Sequence, residues 1–172
     1  SLISHLIFTG DPFSFSLKKL SFVAASKGTA QVLVACPGSG ITSLKQFMTG
    51  TTSYVALSTP NVSVDLQMQL LQKIYGHISN ILTGFTGATL APGCLAGDGA
   101  LAFVGDSSLA NSAGTGIVPG YVPLLETGEQ PPGGGLAFLN KQIPDWAKFI
   151  KEYPPKTKGG LQAMQVLANF VG

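Results

Sequence analysis

The chain has 172 residues, enough for one domain with a real core, and single-domain organisation is the expectation. Hydrophobic residues make up 45% and charged residues only 10%, against an ordinary charged share of about 25%. That balance excludes a disordered chain. All ten basic residues are lysine and the net charge is +2. Without arginine for bidentate phosphate and guanine contacts, and without a basic stripe, nucleic-acid recognition is not expected.

Cys36 and Cys94 stand 58 residues apart, and the chain has only two histidines, so neither a zinc site nor any other cofactor site is read from it. In an oxidising compartment the two cysteines pair as a disulfide. Asn61-Val62-Ser63 is an N-glycosylation sequon. Low charge, paired cysteines and the sequon together point to a secreted or cell-surface protein. No apolar run reaches the 18 or more residues of a transmembrane helix. Nothing at the N-terminus reads as a signal peptide, and Ser1 is consistent with a processed chain.

In chain order, Leu2–Thr9 is a short apolar strand and Gly10-Asp11-Pro12 a turn. Phe13, Phe15 and Leu17 alternate with serines, and Leu20 and Phe22 resume that alternation out of phase after Lys18-Lys19, as across a bulge. Gln31–Cys36 is a near-continuous apolar run, a buried strand ended by Pro37-Gly38-Ser39-Gly40. Ile41–Met48 suits a short helix or a strand, and Ser53–Ser58 is a further strand. The short connections imply an antiparallel sheet in this N-terminal third.

Val64–Leu82 has the clearest helical period in the chain. Val64, Met68, Leu71, Tyr75, Ile78 and Leu82 fall on one stripe, widened by Leu70, Ile74 and Ile81. So broad a face predicts a central helix pressed on the sheet, with Gly76 a weak point or a close approach inside it. His77 sits at the edge of this stripe and reads as a boundary histidine. From Gly84 to Gly135 the chain is rich in Gly, Ala, Ser, Thr and Pro and reads as ordered, irregular chain over the core. Strands are expected at Ala100–Val104 and at Gly116–Leu125, the second confined to an edge by Pro119 and Pro123. Two helices close the chain. One starts at Pro144 with Trp146, Phe149, Ile150 and Tyr153 inward; the other is Leu161–Val171.

The predicted class is therefore α+β: a small N-terminal antiparallel sheet, a long central helix, a Gly-rich irregular region and two C-terminal helices. A binding site between that helix and the sheet would use Met68, Leu71, Tyr75, Ile78 and Trp146.

The block Phe103-Val104-Gly105-Asp106-Ser107-Ser108-Leu109 resembles the nucleophile block of GDSL-type hydrolases. The resemblance implies that Ser107, delivered by a strand, attacks an ester. It covers about seven residues, and it departs from the family in lying past the middle of the chain with no histidine after it; His5 and His77 both precede it. Gly97-Asp98-Gly99 and Gly114-Thr115-Gly116 lack the GK[ST] that completes a phosphate loop. Asp98 and Asp106 are carboxylates at loop ends, where bonding within the turn is the ordinary use.

Three functions follow as expectations. The first is a non-enzymatic secreted or surface protein that takes an apolar small ligand or another surface as partner. The second is a coat, wall or capsid-like assembly subunit. The third is a serine ester hydrolase using Ser107.

Overall fold

The computed structural model describes residues 30–60, 63–105, 119–128 and 143–171. The expected strands before residue 30, Asn61, the block from Asp106 to Leu109, and Gly114 to Gly116 lie outside the described residues.

The elements in order are β1 (Gln31–Ala35), α1 (Leu44–Thr49), β2 (Tyr54–Leu57), α2 (Ser63–Tyr75), β3 (Ile78–Leu82), α3 (Gly87–Ala96), β4 (Leu101–Gly105), β5 (Val122–Glu126), α4 (Trp146–Glu152) and α5 (Lys158–Val171). The class is mixed α+β, with a five-stranded sheet in the order β3-β2-β4-β1-β5. The predicted strands at Gln31–Cys36, Ser53–Ser58, Ala100–Val104 and around Pro123 are all present, and both C-terminal helices stand where the pattern put them.

The sheet is mixed rather than purely antiparallel. β1 runs antiparallel to β4 on one side and β5 on the other. β2 runs parallel to both β3 and β4. Helices make these parallel pairings possible: α2 carries the chain from β2 to β3, and α3 carries it back past β2 to β4. Such crossovers are right-handed, so two that travel in opposite directions place their helices on opposite faces.

The buried side chains divide accordingly. Leu33, Ala35, Ala56, Leu101 and Phe103 point to the face covered by α1, α2, α4 and α5. Val32, Val34, Leu57, Ala102 and Val104 point to the face covered by α3. A strand buried on both faces has no polar alternation, which is why β1 and β4 read as apolar runs. Among the described residues β5 is an edge strand, the position that suits Pro123. Its register against β1 shifts between Leu33 and Val34, so Leu124 is an extra residue and both Leu124 and Leu125 enter the first core.

The central helix is shorter than its period predicts. It ends at Tyr75, and Gly76 adopts φ +74° with its N–H donating to the Gln72 carbonyl at 3.0 Å. Only glycine takes this left-handed conformation at no steric cost, and it stops the helix. Ile78–Leu82 is then strand β3. The expected helical stripe continued through it because Ile78 turns inward from either structure; it is 3% exposed.

Helix α3 occupies a stretch that composition assigned to irregular chain. Thr86 and Thr89 form a reciprocal capping box at its start, and Gly97 at φ +82° ends it. Cys94 in α3 is bonded to Cys36 at the end of β1, S–S 2.04 Å, tying helix and sheet covalently.

Candidate binding surfaces

The residues singled out for a site between helix and sheet come together, but as filling. Met68, Leu71 and Trp146 are at most 2% exposed and share the first core with Ile78. Trp146 donates its Nε1–H to the Gln67 side-chain oxygen at 3.0 Å, and both groups are buried. Tyr75 donates its hydroxyl to the Tyr153 carbonyl at 2.9 Å, and its ring meets Phe149 edge-on at 5.3 Å. Burial pushes the Tyr75 hydroxyl up to about 12. These five side chains hold α2, α4 and the sheet together; a ligand seat has to be sought outside that packing.

One place is the edge of the sheet at the carboxyl ends of β2 and β3. Because β2 and β3 are parallel, the residues that follow them, 58–60 and 83–86, emerge side by side, and Ser58 N–H donates to the Leu82 carbonyl at 2.9 Å. The described elements that follow the two loops, α2 and α3, cover opposite faces of the sheet, so the chain parts at this edge. In open sheets of parallel strands this is where ligands seat. Gly84 in the second loop has φ +104°, a turn that side chains resist. Ser58 is buried and donates to Asp65 Oδ1 at 3.3 Å; Gln69 donates to Asp65 Oδ2 at 3.0 Å. The Asp65 carboxylate thus braces the first turn of α2, where the helix dipole favours it.

Of the described residues at this edge, Pro60, Leu82, Thr83 and Thr86 are exposed and Thr59 and Phe85 half-buried; they present hydroxyls and apolar groups, and none of the six is ionisable. No motif announced this edge; the signal available in the sequence was a strand followed by a capping threonine.

A second place is a cleft of about 350 Å³ between the last turns of α2 and the first turns of α5. Leu70, Ile74 and Ala163 supply its apolar lining, and Lys73 and Lys156 stand at its sides. Neither lysine has a carboxylate within ion-pair distance among the described residues, whereas Lys148 reaches Asp145 at 3.6 Å. Nearby, His77 packs on Phe47 with ring centroids 5.7 Å apart and the rings tilted by 59°; burial first, and then the Lys156 charge, hold its imidazole below the usual histidine range.

The other residues weighed for chemistry are structural where they are described. Asp98 lies in the turn that closes α3, its N–H donating to the Gly93 carbonyl at 3.0 Å. Among the described residues no three His, Cys, Asp or Glu side chains are grouped as a metal site. No helix among them is long and apolar enough to cross a membrane. No protein-family model matches the chain, and no curated protein matches it in sequence.

Proposed function

We propose that the chain is a non-enzymatic binding protein of an extracellular or cell-surface compartment. Its partner is an uncharged, largely apolar small molecule or surface, seated at the carboxyl edge of β2 and β3. The observation that carries this reading is the edge itself. Two parallel strands end side by side, their helices diverge to opposite faces, and the exposed groups between them are hydroxyl or apolar. An uncharged edge offers a charged substrate no counter-ion and offers an apolar one a place out of water. The first-turn amides of α3 beside it favour a partner that also carries an acceptor oxygen.

The buried disulfide supports the extracellular placement, since such bonds persist in oxidising compartments. In that compartment Asn61 is the glycosylation candidate, on the sequon Asn61-Val62-Ser63.

Binding of the uncharged apolar dye Nile red, followed by fluorescence, tests the reading. The protein is expected to bind the dye saturably, and Thr59→Arg with Thr83→Arg, which charge the edge, are expected to abolish binding without loss of thermal stability. Dye binding that is absent, or unchanged in this double variant, overturns the assignment. Hydrolysis of p-nitrophenyl acetate that disappears in Ser107→Ala would replace it with the hydrolase reading.

A further inference from the structure

We propose that the cleft between α2 and α5 is a separate site, for a small oxyanion carried on a short apolar body. The sequence at the start of α5 breaks the usual rules of helix construction. A helix N-terminus carries partial positive charge and favours Asp or Glu in its first turn. Helix α5 has no acidic residue there and begins instead Lys158-Gly159-Gly160. Glycine is among the poorest helix formers, so the pair weakens the turn that starts the helix.

Packing explains one of the two glycines. A Cβ on Gly160 would lie 3.0 Å from Thr157 Oγ1 and 3.2 Å from Pro155 Cβ, a tight approach that glycine relieves. A Cβ on Gly159 would meet nothing within 4 Å. Gly159 lines the cleft, and the open space around it leaves room for a side chain at that position.

Charge adds a second anomaly. Lys73 and Lys156 flank the same cleft and have no carboxylate partner among the described residues, and Lys158 follows within two residues of Lys156. These exposed cations and the positive end of the helix are complementary to an anion seated at the cleft. Burial first, and then the Lys156 charge, depress the imidazole of His77 on a neighbouring element. Beneath these charges the lining is Leu70, Ile74 and Ala163, which have no use for the anion itself and fit an apolar body attached to it.

Size sets the class of occupant. At about 350 Å³ the cleft lies at the small end of ligand pockets, roughly 300 to 1,000 Å³, and suits a small molecule rather than a protein segment. Carboxylate and phosphate heads share the needed chemistry.

The site is distinct from the uncharged edge of the sheet, and its test is independent. Amide NMR spectra of the intact chain are recorded during titration with hexanoate, hexyl phosphate, hexanol and hexylammonium. Hexanoate, hexyl phosphate or both are expected to shift the amides of Thr157, Gly159, Gly160 and the last turn of α2 saturably. Hexanol and hexylammonium are expected to leave them in place. Lys73→Gln with Lys156→Gln is expected to weaken oxyanion binding about tenfold, and added salt to weaken it in the wild type. Gly159→Leu fills the cleft from a position with room for a side chain and improves helix propensity, so it is expected to abolish binding in a folded protein. Thr59→Arg with Thr83→Arg leaves this site as it is and is expected to bind hexanoate like the wild type. Hexanol binding as tightly as hexanoate, no saturable shift with either oxyanion, or affinity unchanged in the lysine and glycine variants would overturn the proposal.

Discussion

Gln67 shows how a single polar side chain fixes a core position. It is 1% exposed, in the middle of an amphipathic helix, and it accepts the indole N–H of Trp146 from an element 79 residues away. A buried indole without an acceptor loses its bond to water and gains nothing in return. Gln67→Leu is therefore expected to destabilise the fold by about 1–3 kcal/mol, read from urea denaturation. His77 gives a pH-dependent counterpart. Its folded-state value is held below the ordinary 6.5, so as pH falls the unfolded chain takes the proton first. The stability it contributes is present above about pH 6.5 and is lost as pH drops through the folded-state value. The fall in stability between about pH 7 and pH 5 is expected to be shallower in His77→Gln, and shallower to a lesser degree in Lys156→Gln. Neither role was legible beforehand. The sequence marks Gln67 as polar and His77 as a residue at the edge of a stripe, and only the tertiary packing supplies Trp146 and Lys156.

At the scale of elements, the pattern of the chain was most legible where burial is two-sided. Val32 to Ala35 and Leu101 to Val104 are apolar at successive positions, and a strand covered on both faces permits nothing else. Trp146, Phe149 and Ile150 were legible for the opposite reason, since one-sided burial leaves Ala147, Lys148 and Lys151 outside. The reading failed where two periods coincide. Tyr75 to Ile78 is a step of three, which keeps a helical stripe in phase and equally lets an inward strand residue follow a tight turn. Gly76 was the deciding signal, and its φ of +74° shows that it ends the helix rather than weakening it. Gly76→Ala is expected to cost about 1–2 kcal/mol in equilibrium unfolding, and Gly76→Asn less, because asparagine tolerates the left-handed region better. Helix α3 was hidden for another reason. Its residues are small, it contains Pro92, and its face turned to the sheet is built from Leu90, Gly93 and Cys94, so hydrophobic contrast along it is slight. The parting of the chain at the edge of the sheet was hidden with it, since it follows from α3 and the central helix covering opposite faces.

At the scale of the molecule, the Cys36–Cys94 bond joins the strand at the centre of the antiparallel part of the sheet to the helix that covers one face. Closing a loop of 58 residues restricts the unfolded chain by an amount worth about 4 kcal/mol in the loop-entropy model. Replacing both cysteines by alanine is expected to lower the unfolding free energy by about 2–4 kcal/mol, and a reducing agent is expected to shift the wild type towards that value. Strand order carries a consequence for how the protein is made. β1 is the first described strand in the chain, yet its two neighbours, β4 and β5, end at residues 105 and 126. At bacterial-to-eukaryotic translation speeds of about 5–20 residues per second, Gln31–Ala35 waits on the order of ten seconds on the ribosome before both of its described strand neighbours have been made. The unit β2-α2-β3 is local and complete long before then, and β1 is received late into a sheet half assembled without it. Slow, non-local pairing of this kind places the hazard of misassociation during synthesis on five residues, Gln-Val-Leu-Val-Ala, rather than on the finished surface.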